Sequence, residues 1–263
     1  MDGTKNPLFA EERKAAIVDW VNEKKKVLVP DLIARFQVSP ATIRSDLRDL
    51  EAAGLLKRTH GGAIPSDYTK PGLKADHQSS NVKEQKEKRQ IAKAAARLIE
   101  DGDIIILDTG TTTLELARLL RDRRNLTVIV NDLEIARCLE AYEDVQVVVI
   151  GGSLRKNFHC TVGPFATNML AELNVDKAFL GTNAFSAAKG CTTPDIEQAE
   201  LKRRMVQIAA KTIVLCDSTK VGKNSFVQFA SPEQVDLLIT DSRLSRELAD
   251  GLTETGIELI LAD

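Results

Sequence analysis

Residues 104–120 read IIILDTGTTTLELARLL: four apolar residues, an acidic break, a glycine, three consecutive threonines and an amphipathic run. The order predicts a strand, a sharp turn and a helix. Four aliphatic residues without polar alternation suit a strand covered on both faces. Gly110 lets the chain turn. The amides of Thr111, Thr112 and Thr113 then open a helix whose positive dipole end attracts an anion, and their hydroxyls add donors. No Gly-Lys-Ser/Thr follows, so this is not a Walker loop, and G-x-G-x-x-G spacing is missing. A simple phosphate monoester is the favoured ligand. The plainer alternative is that the threonines only cap a helix.

The same alternation extends outward from this stretch. Helical IAKAAARLIEDG precedes it, and further helices lead into TVIV, VQVVVIGG, KAFLG and TIVLC, then Leu237–Thr240 and IELILA. Apolar strands separated by amphipathic helices predict an α/β domain with a mostly parallel sheet. Ligands in such sheets collect at the carboxyl ends of the strands. The residues there are Asp108 to Thr113, Asn131, Gly151 and Gly152, Asn183 and Lys220. Of these, Asp108, Gly110, Thr111, Thr112, Thr113, Asn131, Gly151, Gly152, Asn183 and Lys220 are the candidate effector-binding set. Asp108 would repel phosphate and is expected to accept hydrogen bonds from sugar hydroxyls. Lys220 is expected to supply positive charge.

Before residue 63 the chain has a different character. Ile17, Val18 and Val21 give a first helix a buried stripe, with Pro7 able to open it. Pro30 starts a second helix carrying Leu32, Ile33 and Phe36 inward. Gln37-Val38-Ser39 makes a tight turn, Ser39 caps a third helix and Pro40 takes its first position. In that helix Ile43, Leu47 and Leu50 share one face, and Gly54 ends it. LLKRTHGGA then reads as a strand, a basic tip and a Gly-Gly turn. Two short helices, a three-residue turn and a basic wing predict a winged helix-turn-helix.

With the apolar stripe buried, Ala41, Thr42, Arg44, Ser45 and Arg48 lie outward. Together with Ser39, and with Lys57 and Arg58 on the wing, they form the candidate DNA-binding set, directed at base edges and phosphates. The alternative is a three-helix protein-contact module. Asp46 and Asp49 oppose a DNA surface and are expected to face away or to orient arginines. The domain reading is 1–63 for DNA binding, 64–82 as linker and 83–263 for sensing. The lysines of the stretch from Ile64 to Gln90 are left unassigned, a solvated face being their ordinary reading.

Bulk properties fit this reading. The 263 residues allow a small domain and a larger one, and the net charge of −2 requires any nucleic-acid contact to be local. Aromatic residues are 4%, too few for a base-stacking platform. No apolar run approaches a membrane span, and the polar start does not read as a signal peptide. A cytoplasmic protein is expected. Cys138, Cys160, Cys191 and Cys216 lack C-x-x-C spacing, so no metal cage, cofactor or disulfide framework is expected. His159 and Cys160 are neighbours, which seldom face each other as nucleophile and base, and no catalytic residue is assigned. Glu200 and Lys202 are expected as helix-surface charges, and His60 and His77 in solvent.

Two sets of motifs resemble one family. VLVPDLIARFQVSPATIRSDLRDLEAAGLLKRTHGGA is similar to the N-terminal domain of DeoR-family transcriptional regulators, with Ser45 where that family often has a second arginine. Leu107-Asp108-Thr109-Gly110-Thr111-Thr112, Val130-Asn131, Ile150-Gly151-Gly152, Asp176 to Gly181 and Asp217-Ser218-Thr219-Lys220 follow the family's order in the second domain. The resemblance extends to the fold of ribose-phosphate isomerases and glucosamine-phosphate deaminases. It implies a cytoplasmic homodimer or homotetramer on double-stranded operator DNA. It further implies a repressor of a sugar or polyol catabolic operon, relieved by a phosphorylated sugar or polyol. Two other readings compete: an isomerase or deaminase-like enzyme with an added DNA-binding module, and an architectural DNA binder whose second domain only dimerises. The polar rim disfavours the latter.

Overall fold

The computed structural model describes residues 10–24, 27–59, 61–65 and 84–263. The chain forms two compact units, Met1–Lys70 and Pro71–Asp263. Pro7, His60, His77 and positions 66–82 of the expected linker lie outside the described residues.

The first unit contains helices α1 (Ala10–Lys24), α2 (Val29–Phe36) and α3 (Pro40–Ala52). Three short strands accompany them: β1 (Val27–Leu28), β2 (Leu56–Thr59) and β3 (Gly62–Pro65), antiparallel in the order β1-β3-β2. Gln37 leaves α2 in the left-handed region at φ 52°, and Ser39 Oγ accepts from the Thr42 amide at 3.1 Å. The three-residue turn and its cap therefore stand where the sequence placed them. Ile17, Val21, Leu32, Ile43, Leu47, Leu50 and Leu56 fill the core. Strand β1 has no signature in the sequence, because two residues are too few for strand periodicity. Ile64 and Pro65, read as the front of the linker, belong to the wing strand.

The second unit is built on seven strands: β4 (Ile104–Leu107), β5 (Leu126–Val130), β6 (Val145–Val149), β9 (Val175–Gly181), β12 (Ala209–Leu215), β14 (Leu237–Asp241) and β15 (Glu258–Ala262). Their order is β15-β14-β12-β9-β4-β5-β6, and every neighbouring pair is parallel. Helices α4 (Gln85–Ala96), α5 (Thr111–Ala117) and α6 (Leu133–Leu139) cover one face, packing on Ile105, Leu107, Val128 and Val130. Helices α7 (Pro164–Ala171), α8 (Ile196–Ile208) and α9 (Arg246–Thr253) cover the other, on Ile106, Ile129, Leu180 and Val214. Strand neighbours thus alternate between two cores, as a double-sided sheet requires.

Two small antiparallel additions sit outside this sheet. One is a hairpin of β7 (Ser153–Arg155) and β8 (Cys160–Val162). The other is a sheet in the order β10-β11-β13, from Ala184–Ser186, Gly190–Thr193 and Val227–Ala230. These segments are short and mixed in polarity, so no apolar period announces them. The chain leaves β4 outward through β5 and β6, then crosses back to β9 on β4's other side. The strand order therefore reverses between β4 and β9, and a crevice opens at their carboxyl ends.

Candidate functional site

In the first unit, burial sorts the charges of α3. Asp46 is 4% exposed, and Arg13 of α1 donates to it from Nε at 2.7 Å and from Nη2 at 3.2 Å. Asp49 pairs with Lys14 of α1 at 2.9 Å. Both carboxylates are neutralised on the α1 side, while Ala41, Arg44, Ser45 and Arg48 are exposed and Thr42 is half-buried. Thr42 Oγ1 lies 2.8 Å from Ser39 Oγ, which ties its hydroxyl to the cap. Lys57 and Arg58 are exposed on β2. Arg58 lies 3.8 Å from Glu51, which also accepts its amide, so part of its charge is balanced. The outer surface of α3 is left polar and cationic.

At the rim of the large sheet, Gly110 adopts φ 156° and is the N-cap of α5, with no side-chain cap. The Thr113 hydroxyl donates back to the Gly110 carbonyl at 2.9 Å, so it is spent within the helix. The hydroxyls of Thr111 and Thr112 have no hydrogen-bond partner among the described residues. Lys220 lies 3.2 Å from Asp217, two residues past the end of β12. Burial pushes the Asp217 carboxyl up, but Lys220 and the Thr219 hydroxyl outweigh it and hold it below its ordinary value.

Lys88, whose ordinary reading is a solvated face, is instead 5% exposed on α4. Its ammonium is pushed below its usual value by burial, then by Lys220, against the opposing pull of Asp217, Glu84 and Glu115. Lys88 and Lys220, from separate elements, thus act on each other and on Asp217 electrostatically.

Asp108 is engaged within the fold. It is 1% exposed, and its Oδ2 accepts from the Gly181 amide at 3.0 Å and from Lys202 Nζ in a short contact. Lys202 also donates to the Gly181 carbonyl at 2.9 Å. Burial pushes the Asp108 carboxyl up against the pull of Lys202. The group expected to bind sugar hydroxyls is occupied by the protein's own ammonium, and Lys202 is no surface charge. Glu200 is exposed, as expected.

The remaining candidates divide. Asn131 is buried at the end of β5. Gly152, at φ 148°, has a packing reason: a Cβ there would lie 2.7 Å from the Val162 carbonyl of β8. Gly151 is exposed, and Asn183 accepts from the Thr193 hydroxyl at 3.0 Å. His159 pairs with Glu134 at 2.7 Å, whereas Cys160 is buried with Gln198 Nε2 3.9 Å from its sulfur. The two neighbours engage different partners.

Residues 13–68 match the DeoR-like helix-turn-helix domain, and residues 83–242 match the DeoR C terminal sensor domain. The chain is 38% identical to the HTH-type transcriptional regulator GlpR of Haloferax volcanii, over 96% of its own length and 98% of the relative's. The chain belongs to the DeoR family. It is also 34% identical to a putative aga operon transcriptional repressor of Escherichia coli O157:H7, over 98% of this chain and 96% of that one. Among solved structures, ribose 5-phosphate isomerase A of Methanocaldococcus jannaschii is similar over 52% of this chain and 55% of that one, at 22% identity and a TM-score of 0.40.

In this DeoR-family chain the two residues that sequence reasoning missed carry a signal after all. Lys88 falls on the same helical stripe as Ile91, Ala92 and Ala95, all buried, and Lys202 on the stripe of Gln198, Ala199, Met205 and Val206. Spacing of three and four residues placed both lysines on inward faces. Their charge had suggested the opposite.

Proposed function

We propose that the chain is a DNA-binding transcriptional regulator that represses a sugar or polyol catabolic operon and leaves its operator when a phosphorylated sugar or polyol binds the second unit. The observation that carries the DNA reading is the sorting on α3: Asp46 and Asp49 are neutralised by Arg13 and Lys14, and Arg44 and Arg48 are exposed. An operator-facing helix needs this arrangement, because an unpaired carboxylate beside phosphates would repel them. Ser39, Ala41, Thr42 and Ser45 at the helix start, with Lys57 and Arg58 on the wing, complete the surface. Positions 66–82 serve as linker between the DNA-binding and sensing parts, Ile64 and Pro65 belonging to the wing.

For the effector, the uncapped start of α5, the hydroxyls of Thr111 and Thr112, and Lys88 with Lys220 support an anionic group at the rim. Gly110 and the Thr113 amide belong to the same turn. Gly151 and Asn183 stand along the rim where the rest of the ligand would lie. The curated relatives are named as regulators, which supports control of transcription over turnover of the ligand. In this reading the chain acts as a homodimer or homotetramer, because symmetric operators need repeated reading heads. It works in the cytoplasm with its operator.

The experiment is a duplex selection from random DNA by the full chain. Binding of the selected duplex is then measured with and without phosphorylated sugars. Selection of a specific sequence, released by one of these ligands, supports the reading. Failure to enrich any sequence contradicts it.

A further inference from the structure

Asn131 follows β5 at the rim. Side chains of Ile129 and Asn131, two apart on the strand, share the sheet face covered by α7–α9, and Ile106 and Asp108 stand on that face in the adjoining strand. Asn131 Nδ2 donates to the Thr161 carbonyl at 3.0 Å, and the Thr161 amide donates back to the Asn131 carbonyl at 2.8 Å. The amide orientation follows from chemistry. A carbonyl has no proton to give, so the nitrogen must face Thr161 and Oδ1 must face away from it. Oδ1 is buried in a residue 1% exposed and has no hydrogen-bond partner among the described residues. A buried acceptor without a donor destabilises the fold. Thr240 Oγ1 is likewise without a partner among the described residues, but on β14, with three strands between it and β5.

The Thr161 hydroxyl donates to the Ile150 carbonyl at 2.5 Å, and the Thr161 amide is taken by the Asn131 carbonyl. Neither reaches Oδ1, which is left to accept from a donor outside the chain. An amide oxygen takes a proton donor and repels phosphate, carboxylate and carbonyl oxygens.

Building on the proposed effector site, we infer that Asn131 is its specificity-determining residue and takes a hydroxyl of the ligand. The effector is then a phosphate ester bearing at least one free hydroxyl placed to donate to Oδ1. Inorganic phosphate and phosphoenolpyruvate, which lack an alcohol, do not satisfy it.

The test is calorimetric titration of the full chain and of Asn131→Leu and Asn131→Ala. The probes are inorganic phosphate, phosphoenolpyruvate, glucose 6-phosphate, fructose 1-phosphate, ribose 5-phosphate and glycerol 3-phosphate. The tightest ligand is then compared with its monodeoxy analogues. In the natural chain one analogue should bind roughly 10- to 100-fold more weakly than its parent. In either variant parent and analogue should bind alike. Structural damage alone would weaken both and preserve their ratio, so a ratio that persists in both variants overturns the inference and leaves the anion site standing. If no phosphorylated sugar or polyol binds the natural chain, the effector reading itself fails and the inference falls with it.

Discussion

Lys202 Nζ donates to Asp108 Oδ2 where the strand order of the large sheet reverses, and both residues are buried. An ammonium on α8 thus neutralises the carboxylate that ends β4, at the position where folds of this kind hold ligands. The pair engages Asp108 through Oδ2, and it ties α8 to the end of β4.

Removing one partner of a buried pair leaves the other charge uncompensated. Lys202→Met should therefore destabilise the second unit by about 3 kcal/mol in urea titration. Combining it with Asp108→Asn should recover most of that loss, because the amide oxygen can still accept from Gly181. A single variant as stable as the natural chain would show that the pair contributes nothing.

Acid should act through the rim carboxylates. Asp241 is pushed up by burial, but Arg243 and Ser218 outweigh this and hold it below its ordinary value, and Asp217 is depressed likewise. A carboxyl depressed in the folded state contributes stability above its unfolded value, near 3.8 here, and loses it as pH falls through the native value. Arg243 also pairs with Glu87 at 3.3 Å and with Glu84, at the start of α4. Arg243→Met should lower stability at pH 7 by about 1 kcal/mol, consistent with a half-exposed network. It should also flatten the acid dependence below about pH 4. Equal slopes for variant and natural chain would contradict the assignment.

On the DNA side, Arg44→Ala should weaken binding of a selected duplex by about 1–3 kcal/mol if it contacts a base. Ligand binding should be unaffected. Loss of binding that is uniform across all sequences would move Arg44 to a phosphate contact.

Thr111→Ala combined with Thr112→Ala should weaken sugar-phosphate binding at least tenfold and leave operator affinity unchanged. Lys88→Met should act in the same direction, because it removes a buried positive charge that acts electrostatically on Lys220 and Asp217. A double threonine variant that still responds to ligand would place the phosphate elsewhere.

Much of this was legible before the structure. The Ser39 cap, the turn at Gln37 and the seven apolar strands followed from local propensity and alternation, which tertiary contacts here reinforce. The charged interior was harder to read. Lys88, Lys202, Arg13 and Asp46 are residue types that usually face water, and the burial of the last three depends on partners 33 or more positions away: Asp46 for Arg13, and Asp108, 94 positions away, for Lys202. Helical spacing alone identified the inward stripe, but only the fold supplied the opposite charge. The β7–β8 hairpin was hidden for another reason. Gly152 and Cys160 announce no period, and the close approach at Val162 is a tertiary fact.

The central claim is that occupancy of the rim is coupled to the operator. The most direct measurement is the affinity of one phosphorylated sugar for the full chain, taken free and again saturated with its selected duplex. The account predicts that the duplex weakens ligand binding by roughly 5- to 150-fold, and that the ligand weakens duplex binding by the same factor. Ligand affinity that is identical with and without the duplex would contradict it.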